Sequence, residues 1–166
     1  MPLAAKRTWT ITQTITRPAN TTQYADGDGV STATTGTILT FAGVAPHVGM
    51  GGRITGLSVS KTDQDTTSAA FTLYLFDTTV VGTGFEDNVA IAITDAEWKT
   101  KFSSIVLVAA DWENVVTGDT YTKTNLDSSY KCASDDTKIY GVLVARGTYT
   151  PASAEVFTIR LTGEVN

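Results

Sequence analysis

In the run Thr8-Trp9-Thr10-Ile11-Thr12-Gln13-Thr14-Ile15-Thr16 every even position is threonine, while the odd positions carry Trp, Ile, Gln and Ile. A period of two is a strand period, because successive side chains of a strand point to opposite faces. The pattern predicts a strand with Trp9, Ile11 and Ile15 turned toward a core and the threonines turned toward solvent or a partner. Arg17-Pro18 ends it, since proline brings no N–H to a ladder and restricts the residue before it. Threonine is abundant throughout the chain, at 31 of 166 residues. Its stiff β-branched side chain suits a pleated surface better than a helix, which argues against a helical bundle.

The same reading extends along the chain. Thr37–Ala42, Arg53–Ser60, Ala70–Phe76, Ser104–Ala110, Ile139–Ala145 and Glu155–Leu161 are short, rich in β-branched or aromatic residues and bounded by turn residues. Thr120–Thr124 and Ser129–Ala133 are weaker strand candidates. Ile105–Ala110 and Tyr140–Ala145 are apolar on both faces, as strands covered on both sides are. Residues 19–36, with Asp26-Gly27-Asp28-Gly29 in their middle, read as a long surface loop. One segment departs from the pattern. Thr94-Asp95-Ala96-Glu97 matches a capping box, and a short helix over about 94–102 would place Trp98 and Phe102 on one face. The expected fold is all-β: a jelly-roll-like β-sandwich of about eight or nine antiparallel strands with that one helix. An immunoglobulin-like sandwich fits less well, because the chain is too long for seven tightly connected strands and lacks the Cys…Trp…Cys pattern. Residues 1–7 read as an N-terminal arm and 8–166 as a single domain.

Composition excludes several function classes. Net charge is −5, so counterion release from a phosphate backbone is not the main source of affinity for any partner, and no nucleic-acid role is expected. One Cys rules out an intrachain disulfide, and one His leaves no Cys/His metal cage. The opening Met-Pro-Leu-Ala-Ala-Lys-Arg has no apolar core, and no stretch approaches the roughly 18 apolar residues of a membrane span; synthesis in a cytoplasm is expected. His47 has no second histidine or activated serine beside it in sequence, and the glycines around it lack the Gly-Lys-Ser/Thr ending of a phosphate loop. Asp26/Asp28 and Asp63/Asp65 have the two-residue spacing that begins many calcium loops, but in the Asp26 loop Val30 stands where a third oxygen ligand is needed and Thr37 where the Glu would be. Glu86-Asp87, Asp111/Glu113 and Asp135-Asp136 lie in turns, not on facing strand interiors where a glycosidase pair would sit. Cys132 has only Lys131 near it and reads as a small packed residue. No cofactor, metal or catalytic residue is expected.

Three segments carry a family resemblance. Residues 15–28, Ile-Thr-Arg-Pro-Ala-Asn-Thr-Thr-Gln-Tyr-Ala-Asp-Gly-Asp, resemble an opening found in small virion structural proteins of tailed bacteriophages. Leu73-Tyr74-Leu75-Phe76-Asp77, then Asp87-Asn88 and Asp95-Ala96-Glu97, are similar to the middle of the same family. Residues 139–151 followed by Glu155-Val156-Phe157-Thr158-Ile159 are similar to its ending. The resemblance implies a capsid cement or decoration protein with a jelly-roll fold, seated on the outside of the virion's major capsid protein shell and clamping neighbouring capsomers. It carries no catalytic motif.

On that reading the partners are the major capsid protein and further copies of the chain, as a homodimer or homotrimer at a symmetry axis. Lys6 and Arg7 of the arm, Thr8, Thr10 and Thr12 of the threonine face, and Arg17 and Tyr24 of the long loop are the expected contact residues. The competing readings are a tail, neck or fibre component and a carbohydrate-binding jelly roll. The last predicts exposed coplanar aromatics drawn from Trp9, Trp98 and Trp112.

Overall fold

The computed structural model describes residues 7–32, 36–63, 70–81 and 84–165. Its strands are β1 (Thr8–Thr16), β2 (Gly29–Val30), β3 (Leu39–Phe41), β4 (Gly51–Lys61), β5 (Ala70–Phe76), β6 (Lys101–Leu107), β7 (Glu113–Val115), β8 (Gly118–Lys131), β9 (Ile139–Arg146) and β10 (Val156–Val165). A single helical turn, α1 (Asp95–Trp98), precedes β6. All pairings are antiparallel, in two sheets ordered β1-β10-β4-β8-β7 and β2-β9-β5-β6, with β3 also on β9. Packed face to face, they form a jelly-roll-like β-sandwich. Among the described residues no helix is long and apolar enough to cross a membrane.

Alternation decides which side chains meet between the sheets. Ile15, Leu57, Val59, Phe157, Ile159 and Leu161 from the first sheet face Phe71, Leu73, Leu75, Leu107 and Leu143 from the second, all buried. Phe71 is the hub, its ring edge-on to Trp112, Tyr149 and Phe157 at centroid distances of 6.1, 5.7 and 5.4 Å. The first sheet leaves its other face to water. The second does not: Phe76, Val142 and Val144 point outward and are covered by Val80, Phe85, Ile91, Ile93 and Trp98. The continuous apolar character of Tyr140–Ala145 has this cause. Ile105–Ala110 is different, since the strand ends at Leu107 and Val106 and Val108 are exposed. It lies at the sheet edge, where no described residue covers those two valines.

Three expectations are corrected by the chain's local chemistry. The capping box forms, with Thr94 Oγ1 accepting from the Glu97 N–H at 3.3 Å and Glu97 Oε2 from the Thr94 N–H at 2.8 Å. The helix nonetheless stops after one turn, because the Thr100 N–H and hydroxyl both donate to the Glu97 carbonyl at 2.9 Å, and β6 begins at the next residue. Trp98 and Phe102 therefore part, Trp98 onto Tyr74 outside the second sheet and Phe102 toward Tyr130 inside. The two weak strand candidates around Thr120 and Ser129 are one strand, β8, joined through a bulge in which residues 125–127 oppose Thr55 alone and Asn125 takes a φ of 57°. The segment 17–36 is not a plain surface loop: β2 pairs with β9, Tyr24 bridges Tyr149, and Asp28 to Ser31 are buried.

Gly163 sits where β10 slips register against β4, and Trp9 lies across it. A Cβ there would stand 2.6 Å from the Arg53 carbonyl and run into the indole. Gly163→Ala is expected to lower unfolding free energy by about 1–3 kcal/mol in chemical denaturation, the ordinary cost of overpacking. Asp77, just after β5, has a buried carboxylate oxygen with no hydrogen-bond partner among the described residues, and burial pushes its pKa up. A raised folded-state pKa penalises the folded carboxylate: the cost is absent below the unfolded pKa, about 3.9, and grows as pH rises through the folded value. Asp77→Asn is therefore expected to be more stable than the parent at neutral pH, with the advantage vanishing below about pH 4 in paired thermal melts.

Candidate interaction surface

Among the described residues β1 pairs with β10 alone and so forms the edge of its sheet. The direction of its backbone groups follows from its ends, where the Val165 N–H donates to the Arg7 carbonyl and the Arg17 N–H to the Glu155 carbonyl, each at 2.9 Å. In an antiparallel ladder alternate residues face the partner, so the odd residues of β1 bond β10 and the even ones face away. Thr8, Thr10, Thr12, Thr14 and Thr16 thus turn their N–H and C=O groups to the open edge, and the same five side chains are exposed. Arg7 continues the edge and is exposed; Lys6 and the rest of the expected arm lie outside the described residues.

The threonines of β1 are the first column of a wider face. Register places Thr12, Arg160, Ser58 and Thr122 in one row across β1, β10, β4 and β8, with Thr14, Thr158, Ser60 and Thr120 above it and Thr10, Thr162, Gly56 and Thr124 below. Arg160 is the one charge among these twelve positions. Gly56 has no side chain to fill its place, which leaves a shallow hollow of about 210 Å³ beside Arg160. The nearest charge cluster is at the end of the face, where Arg53 lies 3.0 Å from both Asp127 and Glu164. The result is a hydroxyl-rich, nearly neutral sheet surface that runs to an unpaired edge.

Arg17 and Tyr24 are placed elsewhere. Both are buried, at 2% and 1% exposed, so their side chains do not reach a partner. Arg17 pairs with Asp87 at 2.8 Å, and the Tyr24 hydroxyl donates to the same carboxylate. Burial, and then the hydrogen bond to Asp87, drives the Tyr24 phenol far above its ordinary pKa. Asp87 also accepts from the Ser31 N–H at 3.2 Å, and the neighbouring Asn88 amide donates to the Thr22 and Gln23 carbonyls. These bonds fasten the 17–31 loop to the segment that covers the second sheet. Beside them, between Pro18-Asn20 and Glu86–Ala92, is an open cleft of about 620 Å³. Its acids are Glu86 and Asp87, the latter already engaged, and its lining holds no nucleophile with an adjacent base.

The remaining candidates serve the fold. Asp28 Oδ2 accepts from the Ala25 N–H at 2.7 Å and Gly27 has a φ of 94°, the chemistry of an Asp-Gly turn. Among the described residues no group of three His, Cys, Asp or Glu could hold a metal ion; Asp65 of the second two-residue pair lies outside them. Cys132 is buried, and desolvation raises its pKa to about 11, so its thiol stays protonated. Trp9 lies edge-on to Tyr130, Trp98 to Tyr74 and Trp112 to Phe71, each ring in a separate packing contact. They do not make a coplanar platform.

The edge geometry has a direct test by proline scanning. Thr12→Pro removes an N–H that no described strand uses, whereas Gln13→Pro removes one that bonds β10. Gln13→Pro is expected to be less stable than Thr12→Pro by about 1–3 kcal/mol in urea unfolding, the cost of stranding the ladder carbonyl on β10. Equal losses would mean that the edge is not open.

Comparison with known proteins leaves the family open. No family model matches the chain and no curated protein matches it. Among solved structures it is similar to the native virion of Kashmir bee virus, at 11% identity over 96% of this chain and 71% of that one, with a TM-score of 0.40. A second similarity is to Desmodium yellow mottle tymovirus, at 11% identity over 99% of this chain and 91% of that one, with a TM-score of 0.28. At these scores the fold rests on the chain's own strand pairing.

Proposed function

We propose that the chain is a virion structural protein, a capsid cement or decoration protein of a tailed bacteriophage that binds the outside of the major capsid shell and holds neighbouring capsomers together. The observation that carries this reading is the continuity of a broad, almost uncharged hydroxyl face with an open strand edge. Protein interfaces are depleted of Lys, Glu and Asp at their centres, and this face has that composition across four strands. An open edge adds main-chain hydrogen bonds when an extended segment of a partner lies along it. The resemblance of residues 15–28, of 73–77, 87–88 and 95–97, and of 139–151 and 155–159 to phage virion proteins supplies the partner class. A protein that binds two shell subunits at once, and only when they are assembled, stabilises the assembled state by mass action. Arg7 and Lys6 would meet an acidic patch beside the edge, and a homodimer or homotrimer would match a shell symmetry axis.

Copy number is the first test. Quantitative mass spectrometry of purified particles is expected to give a simple ratio to the major capsid protein, near one or a fraction set by icosahedral axes. A dozen or fewer copies per particle would replace the shell reading with a neck, tail or fibre component. For the surface itself, Thr12→Asp combined with Ser58→Asp places two charges in one row of the neutral face. The double variant is expected to fold normally and to lose about tenfold or more in affinity for empty shells in co-sedimentation, a change of about 1.4 kcal/mol or greater.

A further inference from the structure

The side chain of Lys61, the last residue of β4, is fully buried at one end of the core. It stands directly across the ladder from Asp119 on β8, and its Nζ lies 3.0 Å from Asp119 Oδ2, itself almost wholly buried. A second carboxyl, Glu155 just before β10, is buried too and lies 3.7 Å from the same nitrogen. The Tyr149 hydroxyl closes the group: it accepts from Lys61 Nζ at 3.2 Å and lies 2.7 and 2.8 Å from the two Glu155 oxygens, to which it donates. Asn114 Nδ2 donates to Asp119 Oδ1 at 3.1 Å and fixes the plane of that carboxyl. Around them are aromatic rings, with Nζ 5.1 Å from the Tyr149 ring centroid and 6.0 Å from that of Trp112.

A surface ion pair would need none of this. Two charges taken out of water incur a desolvation penalty that their attraction repays only in part, and a neutral group in the same space removes the penalty. The arrangement supplies a reaction that does so: an amine against a carboxyl at contact distance, a second carboxyl within reach of the amine proton, and apolar walls that exclude water.

We propose that Lys61 and Asp119 condense to an intramolecular isopeptide bond, with Glu155 as the catalytic proton carrier. Glu155 takes a proton from the Lys61 ammonium, and the freed amine attacks Cγ of Asp119. The new C–N bond forms as a C–O bond of the Asp119 carboxyl breaks. The leaving oxygen departs as water, carrying the proton that Glu155 returns and the second proton released by the nitrogen. Ammonium plus carboxylate gives amide plus water, with no oxidant, no external reactant and no net change in protons. Tyr149 is a positioning residue that holds the Glu155 carboxyl. The reaction occurs once per chain and ties β4 covalently to β8. It does not depend on the shell-binding reading.

The test is the intact mass of the purified full-length chain, measured under denaturing conditions. The expected result is a mass lower than the sequence by one water, about 18 Da, with a proteolytic fragment in which the Lys61 and Asp119 peptides are joined. Lys61→Arg and Glu155→Gln are expected to return to the full sequence mass. Lys61→Arg also separates the crosslink from a succinimide at Asp119, which loses the same water without needing the lysine. A native chain, folded by circular dichroism, that keeps its full mass after prolonged incubation would overturn the proposal. Persistence of the loss in Lys61→Arg would overturn it as well.

Discussion

The second sheet is apolar on both faces, and most of the remaining structure follows from that constraint. One face is met by the opposite sheet in the ordinary way of a sandwich. Among the described residues the other is covered by Val80, Phe85, Ile91, Ile93 and Trp98, which come, apart from the single turn α1, from irregular backbone outside the strands. Irregular backbone has no internal ladder, so its polar groups must find partners one by one. Asp87 and Asn88 supply them, binding Arg17, Tyr24, Ser31 and the carbonyls of Thr22 and Gln23. The buried Arg17–Asp87 pair thus holds a loop to a cover. Removing either partner would leave an uncompensated buried charge, which costs about 3–5 kcal/mol in comparable cases.

The two sheets divide their duties accordingly. The second is insulated from solvent over much of its area and anchors the core through β5 and β9. The first has one face for the core and one for the outside, and its outside face is built from hydroxyls. The neutral face with its edge strand and the buried Lys61–Asp119 pair at the end of β4 both belong to this first sheet. A covalent tie between β4 and β8 would lock the two columns of the proposed contact face that lie farthest from the open edge.

How much of this was legible in the sequence depended on whether the cause was local. The alternation of Thr8–Thr16 set both faces of β1, and the apolar runs located β4, β5, β9 and β10 to within a few residues, because strand period and burial are written in consecutive side chains. The helix was overextended because Thr100 acts through a hydroxyl bond to Glu97 that no periodicity shows. Arg17 and Tyr24 looked like loop residues offered to a partner; their actual partner, Asp87, is 70 residues from Arg17 in sequence. Lys61 gave no signal, being a lone lysine at the end of a strand. Only the register that sets it opposite Asp119, and the approach of Glu155 from the residue before β10, make it notable. The hydroxyl face was legible only in its first column, the threonines of β1, and the partner class proposed for it came from a resemblance between segments.

Along β1 the odd residues carry the core contacts and the ladder to β10, while the even residues carry the outward side chains and the outward backbone. Inward and outward duties therefore fall on different codons. Substitution at Thr8, Thr10, Thr12, Thr14 or Thr16 changes what the edge presents and leaves the core untouched, so partner preference can drift by single steps under little stability constraint. The strand is a ready place to randomise in a binding library, and the first place where divergent relatives of this chain should differ.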